Sequence, residues 1–364
     1  MSTSAASSGS KGPADGAIPT LPRFPVRIVG TGMALPTTAV SNDDLAKRID
    51  TNDTWITKRT GIQTRYYADD TQTVRDLSRE ALETALKDAN LQGADLDLVI
   101  LATITPEMAC PSTAARVAAE VGANPAGAFD LAAACSGFVY GMNLAVSQLE
   151  SGRAKRVAVI GAETLSRHIN HDDRRTCILF GDAAGCAILE ADHQQPLTPT
   201  DDQYRGCLHQ SMRSDGSMWS ALFMPRQQAD LPQGVDAQIT TEPGWNGQYN
   251  TLQMHGQDVF KFAVLQTCDM IQAALDAANL QPEQLKLIVP HQSNQRIMAT
   301  ARDRFGLPEE AMYININRYG NTSAASVPLC LHECRRDGKF QDGDLVLFLA
   351  IGGGMTWSTS LWRV

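Results

Sequence analysis

The amino-acid sequence predicts a layered α/β protein with two similar halves. Continuous apolar runs, which are typical of strands buried on both faces, alternate with longer stretches whose apolar residues recur at helical spacing. The same order of elements occurs before residue 192 and after residue 251, although the two parts share little sequence. The chain has 364 residues, of which 43% are hydrophobic, so it can bury well-filled cores in one large or two medium domains.

Residues 1–22 are predicted to form a disordered N-terminal tail. They contain neither the apolar core of a secretory signal nor the Arg-rich amphipathic pattern of a mitochondrial presequence. No apolar run reaches the roughly 18 residues of a membrane span. The eight cysteines lack the spacing of a zinc or redox site, so we expect free thiols, no metal and a cytoplasmic location.

Residues 23–191 are the predicted N-terminal half. The run VRIVGTG, 26–32, predicts a strand that leads into a glycine turn. Apolar residues at helical spacing predict an amphipathic helix over 74–89. Three further apolar runs predict buried strands over 96–105, 156–164 and 185–191.

Residues 192–251 are the predicted connecting region. They are rich in Gln, Asp, Gly and Pro and are too many for a plain connector, so we expect some strand and an insertion that borders a pocket. Residues 252–364 are the predicted C-terminal half, with a helix over 257–278, a strand over 285–291 with a helix behind it, and a strand over 344–354.

Cys135 is the candidate nucleophile. It follows a run of small residues and precedes apolar residues at helical spacing, which places it at the first turn of a buried helix. The positive end of the helix dipole would lower the pKa of its thiol below the ordinary value of about 8.5. A small buried core cysteine is the alternative interpretation, which we apply to Cys177, Cys186, Cys268 and Cys330.

His291 and Asn321 are the candidate partners of Cys135. His291 ends a predicted buried strand, at the edge where open α/β sheets place their ligands, and Asn321 lies in a glycine turn before a small-residue helix start. Papain-type proteases combine the same three residue types, but the sequence that flanks their cysteine is absent here.

The three residue types suit a decarboxylating condensation. The cysteine takes up an acyl group, and a second thioester that bears a carboxylate loses CO2 and becomes an enolate. That enolate oxygen needs two hydrogen-bond donors, which a neutral His291 and the Asn321 amide can supply. The glycines of 352–354 offer backbone N–H groups, and one of them can complete an oxyanion hole with the N–H of Cys135. Phosphate binding by these glycines is disfavoured because their spacing does not match the motif.

These segments together strongly resemble the β-ketoacyl-acyl-carrier-protein synthase III family, which starts type II fatty-acid synthesis. The likeness extends from about Val26 to the end of the chain. It rests on six strings in the family's order: TWITKRTGIQTR (54–65), AACSGFVYG (133–141), FGDAAG (180–185), PHQSNQRI (290–297), YGNTSAASVP (319–328) and GGGMTW (352–357).

The resemblance implies a thiolase-like five-layered αβαβα fold and a homodimer. It implies Cys135 as acyl acceptor, His291 and Asn321 as the decarboxylation pair, and Gly353 as the second oxyanion donor. No bound cofactor is implied, because coenzyme A enters as part of a thioester substrate. The resemblance also assigns coenzyme A contacts to a further set of residues, namely Thr51, Trp55, Arg59, Arg174, Asn294 and Gln257.

A basic patch of Lys261, Arg296 and Arg302 is implied to receive the acidic acyl carrier protein. Solvated surface charges are the alternative interpretation of these three residues. The formal net charge of -9 excludes a general nucleic-acid binder and makes such a local patch necessary for any acidic partner.

Three departures from the family pattern concern the substrate. Cys110 stands where the family often has a bulky aromatic that reaches the acyl pocket of the neighbouring subunit, which indicates a roomier pocket. His255 and Gln257 replace a small residue and Asn, so pantetheine contacts can differ. The stretch between Cys135 and His291 is longer than usual, and the surplus falls in 192–251.

The leading hypothesis is therefore an acyltransferase that condenses an acyl-coenzyme A primer with malonyl carrier protein and so initiates fatty-acid synthesis. A starter ketosynthase or acyltransferase of specialised metabolism with the same three residues is the alternative. A catalytically silent scaffold of the same fold is a third hypothesis, which the intact Cys, His and Asn set disfavours.

Overall fold

The computed structural model describes residues 21–194, 196–227 and 248–364. The predicted N-terminal tail, apart from its last two residues, lies outside this range, as do residue 195 and residues 228–247 of the predicted connecting region. Within the described residues the strands are β1 (Val26–Ala34), β2 (Thr38–Ser41), β3 (Thr64–Tyr67), β4 (Leu98–Ala102), β5 (Gly127–Leu131), β6 (Arg156–Glu163), β7 (Ala183–Ala191), β8 (Gly206–Ser214), β9 (Leu222–Phe223), β10 (Gln253–Met254), β11 (Leu287–Pro290), β12 (Leu345–Gly352) and β13 (Thr356–Arg363).

The α-helices of the described residues lie between these strands. They are α1 (Asn42–Ala46), α2 (Asp53–Thr60), α3 (Val74–Asp88), α4 (Thr113–Glu120), α5 (Gly137–Glu150), α6 (Gly256–Ala278), α7 (Gln295–Arg304), α8 (Ile316–Tyr319) and α9 (Ser326–Arg336). None of the helices in this described part of the chain has both the length and the apolar character needed to cross a membrane.

The two main sheets have the same strand order and directions. The first sheet runs β1-β7-β6-β4-β5, with antiparallel pairs at the β1 end and parallel pairs at the β5 end. The second runs β8-β13-β12-β11 with the same directions, and a parallel bridge between Ile288 and Met312 occupies the fifth position. The predicted similarity of the two halves is therefore visible in their topology. Strand β8 belongs to the predicted connecting region, so the second sheet begins before residue 252.

Alternate residues of each sheet face different helix layers, which produces five layers. In β4, Val99 and Leu101 pack with α3 and α4 on the outside, whereas Ile100 packs with α5. In β12, Phe348 joins the same central core as α5 and α9, and Leu347 packs outward with α6 and α7. The predicted αβαβα arrangement follows, with α5 and α9 as the central layer.

The predicted glycine turn after β1 is wrong. Strand β1 continues through Gly30 and Gly32 to Ala34 and pairs with β7 from Val26 to Ala34, with a register shift between Ile28 and Gly30. A Cβ atom on Gly30 would lie 2.4 Å from the Ala85 carbonyl oxygen, and one on Gly32 would lie 2.1 Å from that of Ala81. The glycines are therefore needed because helix α3 packs directly on the strand.

Candidate active site

Cys135 lies where two cavities meet at the junction of the halves. The narrower cavity, of about 110 Å³, is also lined by His291, Asn321 and Asn294. The wider one, of about 640 Å³, is also lined by Met108 and by apolar residues of the first half and of the connecting region. The structure thus brings together the three residues that the sequence predicts as a set.

A tight turn before α5 presents Cys135. Ala134 has φ of +46°, which is rare for a residue with a side chain and marks local strain. The turn is clamped by the β12–β13 hairpin, since Thr356 Oγ1 donates to the Ala133 carbonyl at 3.1 Å. Gly352 allows this approach, because a Cβ atom there would lie 2.8 Å from the Cys135 nitrogen.

Burial dominates the acidity of the Cys135 thiol. It raises the pKa of Cys135 to about 12, whereas a hydrogen bond with Ser323 acts in the opposite direction and the charge of Glu163 raises it further. The helix dipole was expected to lower the pKa of the Cys135 thiol, whereas burial raises this pKa in the structure.

His291 is held as a neutral ring. It follows β11, where its backbone N–H donates to the Leu349 carbonyl at 2.8 Å. Burial lowers the pKa of the His291 imidazole to about 3. Its Nδ1 lies 2.7 Å from Ser326 Oγ, and that oxygen also accepts the N–H of Gln292 at 3.3 Å. When the Ser326 hydroxyl donates to Nδ1, the ring proton lies on Nε2.

The amide of Asn321 is oriented by its own turn. The Asn321 backbone N–H donates to Leu179 at 2.8 Å, and its carbonyl accepts from Gly181 at 3.0 Å. Its Oδ1 accepts the backbone N–H of Ser323 at 2.9 Å. Because the amide oxygen is used in this way, Nδ2 is the group that Asn321 can offer as a donor to the cavity.

The predicted acyl-pocket and oxyanion residues take different positions around the wide cavity. Gly353 lines it, next to the turn of Cys135. Cys110 is exposed and does not line the cavity of its own chain, whereas the preceding residues, Met108 and Ala109, do. The predicted contact of Cys110 with the pocket of a neighbouring subunit stays a prediction.

Three of the predicted nucleotide-contacting residues cluster on α2 and a neighbouring loop. The Arg59 guanidinium carbon lies 4.6 Å from the centroid of the Trp55 ring, and that of Arg174 lies 5.4 Å from it. The predicted sandwich of a base between Trp55 and Arg174 would need about 7 Å, twice an aromatic stacking distance of roughly 3.5 Å, which is more than the 5.4 Å found here. In the described part of the chain, the buried hydroxyl of Thr51 has no hydrogen-bond partner.

Asn294 and Gln257 differ in their relation to the narrow cavity. Asn294 lines it, caps α7 by accepting the Arg296 N–H at 2.9 Å, and donates to the Arg59 carbonyl at 3.1 Å. Gln257 is exposed on the first turn of α6, beside Gly256, which lines the cavity.

The predicted basic patch is divided. Lys261 and Arg296 are exposed on the neighbouring helices α6 and α7, and the Arg296 guanidinium lies 5.5 Å from the centroid of Phe260, a residue of the narrow cavity. Arg302, farther along α7, forms an ion pair with Asp303 at 2.9 Å. The structure therefore groups Lys261 and Arg296 near the cavity and separates Arg302 from them.

Three residues near the site were missed by the sequence reasoning. Ser326 contacts His291, Ser323 contacts Asn321 and lines the wide cavity together with Cys135, and Glu163 is a fully buried carboxylate that accepts a hydrogen bond from Ser323. The sequence does contain a signal for Glu163, since it is an acidic residue at the end of the apolar run RVAVIGAE. A carboxylate that is buried there needs hydrogen-bond or charge partners.

Comparisons with known proteins agree with this architecture. Residues 129–215 match the family model for 3-oxoacyl-[acyl-carrier-protein (ACP)] synthase III, and residues 275–364 match the model for its C-terminal part. The chain is 44% identical over 334 residues to a β-ketoacyl-[acyl-carrier-protein] synthase III of Caldanaerobacter subterraneus subsp. tengcongensis, covering 92% of this chain and 96% of the relative. It is 42% identical over 337 residues to a protein of the same name from Granulibacter bethesdensis, covering 93% and 98%.

A solved structure extends the similarity to the fold. The crystal structure of 3-oxoacyl-[acyl-carrier-protein] synthase III from Aquifex aeolicus superimposes with a TM-score of 0.82 at 39% identity, covering 93% of this chain and 100% of that one.

Proposed function

Because this chain belongs to the β-ketoacyl-[acyl-carrier-protein] synthase III family, we infer that it is a condensing acyltransferase that initiates fatty-acid synthesis. It joins an acyl-coenzyme A primer to malonyl carrier protein and releases 3-oxoacyl carrier protein, CO2 and coenzyme A. The observation that carries this conclusion is the meeting of Cys135, His291 and Asn321 around one cavity junction. A role in specialised metabolism is not favoured, because curated relatives at 38% to 44% identity carry the fatty-acid enzyme's name.

The acyl group is carried on Cys135 in this proposal. The thiolate attacks the primer thioester, and the backbone N–H groups of Cys135 and Gly353 receive the oxyanion of the tetrahedral intermediate. The wide cavity, bounded by apolar side chains such as Met108 and Leu222, accommodates the acyl chain. The narrow cavity then suits the slender pantetheine arm that delivers each thioester.

Decarboxylation uses His291 and Asn321 as paired donors. His291 Nε2–H and Asn321 Nδ2–H donate to the thioester oxygen of the malonyl group, so they stabilise the enolate that forms when CO2 leaves. A neutral ring suits this role, because it donates without first giving up a proton. Release of CO2 drives the condensation, so the proposed chemistry draws on no bound cofactor.

Coenzyme A is proposed to extend from the narrow cavity to Trp55. Asn294 and Gln257 lie beside its pantetheine arm, Trp55 and Arg174 sandwich the adenine, and Arg59 lies nearby. Thr51 provides the hydroxyl for the nucleotide end. The nearness of two guanidinium groups to the Trp55 ring supports this path, since an aromatic ring and a guanidinium both stack on adenine.

The carrier protein is proposed to dock on Lys261 and Arg296. Both side chains are exposed next to residues of the narrow cavity, and they provide local positive charge on a protein of net charge -9. Arg302 belongs to the same docking surface only if its ion pair with Asp303 opens. Local basic charge speeds encounter with an acidic partner and fixes its orientation.

A homodimer in the cytoplasm is the proposed state of the protein. Strand β5 is an edge strand, and Phe129 on it and the nearby Met108 are 38% and 41% exposed, as expected of a surface that a second copy covers. Pairing there would carry Cys110 toward the neighbouring wide cavity. All eight cysteines are free thiols, which supports a reducing compartment.

The experiment that tests the function is intact-protein mass spectrometry with a panel of acyl-coenzyme A primers, followed by malonyl carrier protein. The wild type should gain the acyl mass and convert it to 3-oxoacyl carrier protein. Cys135→Ala should gain none, whereas Cys186→Ala, which removes another buried thiol in the outer core of the first sheet, should behave as wild type. Acylation of the Cys135→Ala protein would show that the nucleophile is elsewhere.

A further inference from the structure

Gln292 is a buried side chain that the proposed mechanism does not use. It follows strand β11 and is 1% exposed. Its Nε2 donates to the carbonyls of Pro290 at 2.9 Å and Tyr313 at 3.0 Å. Its Oε1 accepts the backbone N–H of Asn315 at 3.0 Å and that of Ile316 at 3.2 Å. The amide therefore uses its two hydrogens and both acceptor positions to join the end of β11 to the start of α8.

The two segments that Gln292 joins each carry one of the proposed enolate donors. His291 precedes Gln292 in the chain, and Asn321 lies two residues beyond the end of α8. The backbone N–H of Gln292 also donates at 3.3 Å to Ser326 Oγ, the hydroxyl that lies 2.7 Å from His291 Nδ1. Gln292 is thus bonded to the partner of one donor and to the helix that leads to the other.

Glu333 of α9 holds α8 from another side. It is 1% exposed, and its carboxylate accepts hydrogen bonds from Arg318 Nη1 and Nη2 at 2.8 Å each, Tyr319 Oη at 2.7 Å and Asn315 Nδ2 at 2.8 Å. Helix α8 has only four residues, and a helix of that length is not stable by itself. The bonds to Gln292 and Glu333 therefore contribute strongly to its position.

We propose that Gln292 is a positioning residue that holds His291 and Asn321 at the separation at which both can donate to one enolate oxygen. Within the described part of the chain, the walls of the two cavities do not include Gln292, so it acts through α8 and the end of β11. Two donors stabilise a developing charge only while both point at it, so a small displacement of either is costly. The inference rests on the proposed decarboxylation by these two donors.

Gln292→Ala tests this role, because it removes all four hydrogen bonds of the amide. Two buried N–H groups and two buried carbonyls lose a partner, so the end of β11 and the start of α8 must shift to find others. In a Cys135→Ala background, kcat for CO2 release from malonyl carrier protein should fall about 100-fold, the loss that a displacement of about 1 Å can cause. The KM should change little, because the substitution lies outside the surface that binds the substrate.

Two measurements separate positioning from a general loss of structure. Acylation of Cys135 by an acyl-coenzyme A, measured in the single variant Gln292→Ala, should keep the wild-type rate, because the β12–β13 hairpin holds the Cys135 turn. Asn143→Ala is the matched control, since Asn143 is also a fully buried amide, whose Nδ2 donates to the carbonyls of Ser211 at 3.2 Å and Thr359 at 3.0 Å. It should lose stability in urea and keep CO2 release. Equal loss of CO2 release in the two variants, or a parallel loss of acylation in Gln292→Ala, would overturn the proposal.

Glu333→Gln is a second variant, which decides the question if Gln292→Ala does not fold. Its amide keeps the shape of the side chain but has one acceptor oxygen instead of two, so α8 loses part of its anchor on α9. In the Cys135→Ala background, kcat for CO2 release should fall about tenfold, less than with Gln292→Ala because most of the bonds that hold α8 remain. Unchanged CO2 release in this variant would show that the position of α8 does not control the donors and would refute the proposal.

The positioning role and the proposed function can fail separately. A Cys135→Ala protein that releases no CO2 from malonyl carrier protein would refute the proposed decarboxylation. A Cys135→Ala protein that releases CO2 at the same rate with and without Gln292→Ala would refute the positioning role alone.

Discussion

Replacing Ser326 with alanine should slow decarboxylation of the malonyl group and leave acylation of Cys135 intact. Ser326 is 2% exposed, and its hydroxyl contacts His291 Nδ1 at 2.7 Å and the Gln292 N–H at 3.3 Å. Its loss leaves Nδ1 buried without that partner, so the ring no longer favours the tautomer with hydrogen on Nε2. The enolate then loses a correctly placed donor.

The magnitude follows from the cost of leaving a buried polar group unpaired. That cost is about 1 to 3 kcal/mol. If the transition state for CO2 loss is destabilised by this whole amount, the rate constant kcat should fall roughly 5- to 150-fold, because about 1.4 kcal/mol corresponds to a tenfold change in rate.

The assay measures CO2 release from malonyl carrier protein in the Cys135→Ala background, with and without Ser326→Ala. Acylation of Cys135 is measured separately in the single variant Ser326→Ala. Ser78→Ala is the matched control, because Ser78 is also a fully buried helical serine, bonded to the Val74 carbonyl at 2.6 Å in the outer helix α3. It should lose a similar amount of stability and keep both activities.

Two results would refute this reasoning. Decarboxylation at the unmodified rate would show that Ser326 does not control the tautomer of His291. A parallel loss of acylation would show that the substitution disturbs the whole cavity rather than one ring.

Four other predictions follow from burial, space and charge. Burial lowers the pKa of His291 to about 3, so only the unfolded chain gains its proton as the pH falls through the ordinary value of about 6.5. Urea unfolding should therefore show wild type losing stability relative to His291→Gln by about 1.1 kcal/mol per pH unit on average between pH 6.5 and 5, and equal slopes would contradict this. Gly352→Ala should reduce acylation about 100-fold by displacing the Cys135 turn, whereas Gly216→Ala, with nothing within 4 Å of its added Cβ, should not. Arg296→Glu should raise the KM for malonyl carrier protein about tenfold but leave the KM for malonyl-coenzyme A unchanged. If high salt does not reduce this effect on the KM, the docking surface is not electrostatic. Burial raises the pKa of Cys135 to about 12. The rate at which iodoacetamide alkylates Cys135, followed by mass spectrometry, should therefore rise from pH 7 to pH 10. A rate that levels off below pH 8 would mean that the helix dipole lowers the pKa more than burial raises it.

The periodicity of the sequence predicted elements that have a strong local signature. The helix expected over 74–89 is Val74–Asp88, and the one expected over 257–278 is Gly256–Ala278. Strand β13 was missed, because its sequence TWSTSLWR mixes polar and apolar residues and depends on its two neighbouring strands. The glycines of β1 were misread, since the closeness of α3 is not visible in the local sequence.

The sequence by itself determined the family and which residue types are available for chemistry. Six short motifs predicted the fold, the condensing activity and the candidate set Cys135, His291 and Asn321, because each motif is a contiguous string that keeps its meaning outside the folded chain. The family and fold predictions are confirmed by relatives at about 40% identity and by a similar solved structure.

Only the tertiary structure decided the protonation states and the contacts of those residues. Burial raises the pKa of the Cys135 thiol and lowers that of the His291 ring, and burial depends on atoms from both sheets and the helices between them. Ser323 meets Glu163 across 160 residues of sequence. Desolvation and hydrogen bonding act through space at a few ångströms, so local sequence patterns carry little information about either.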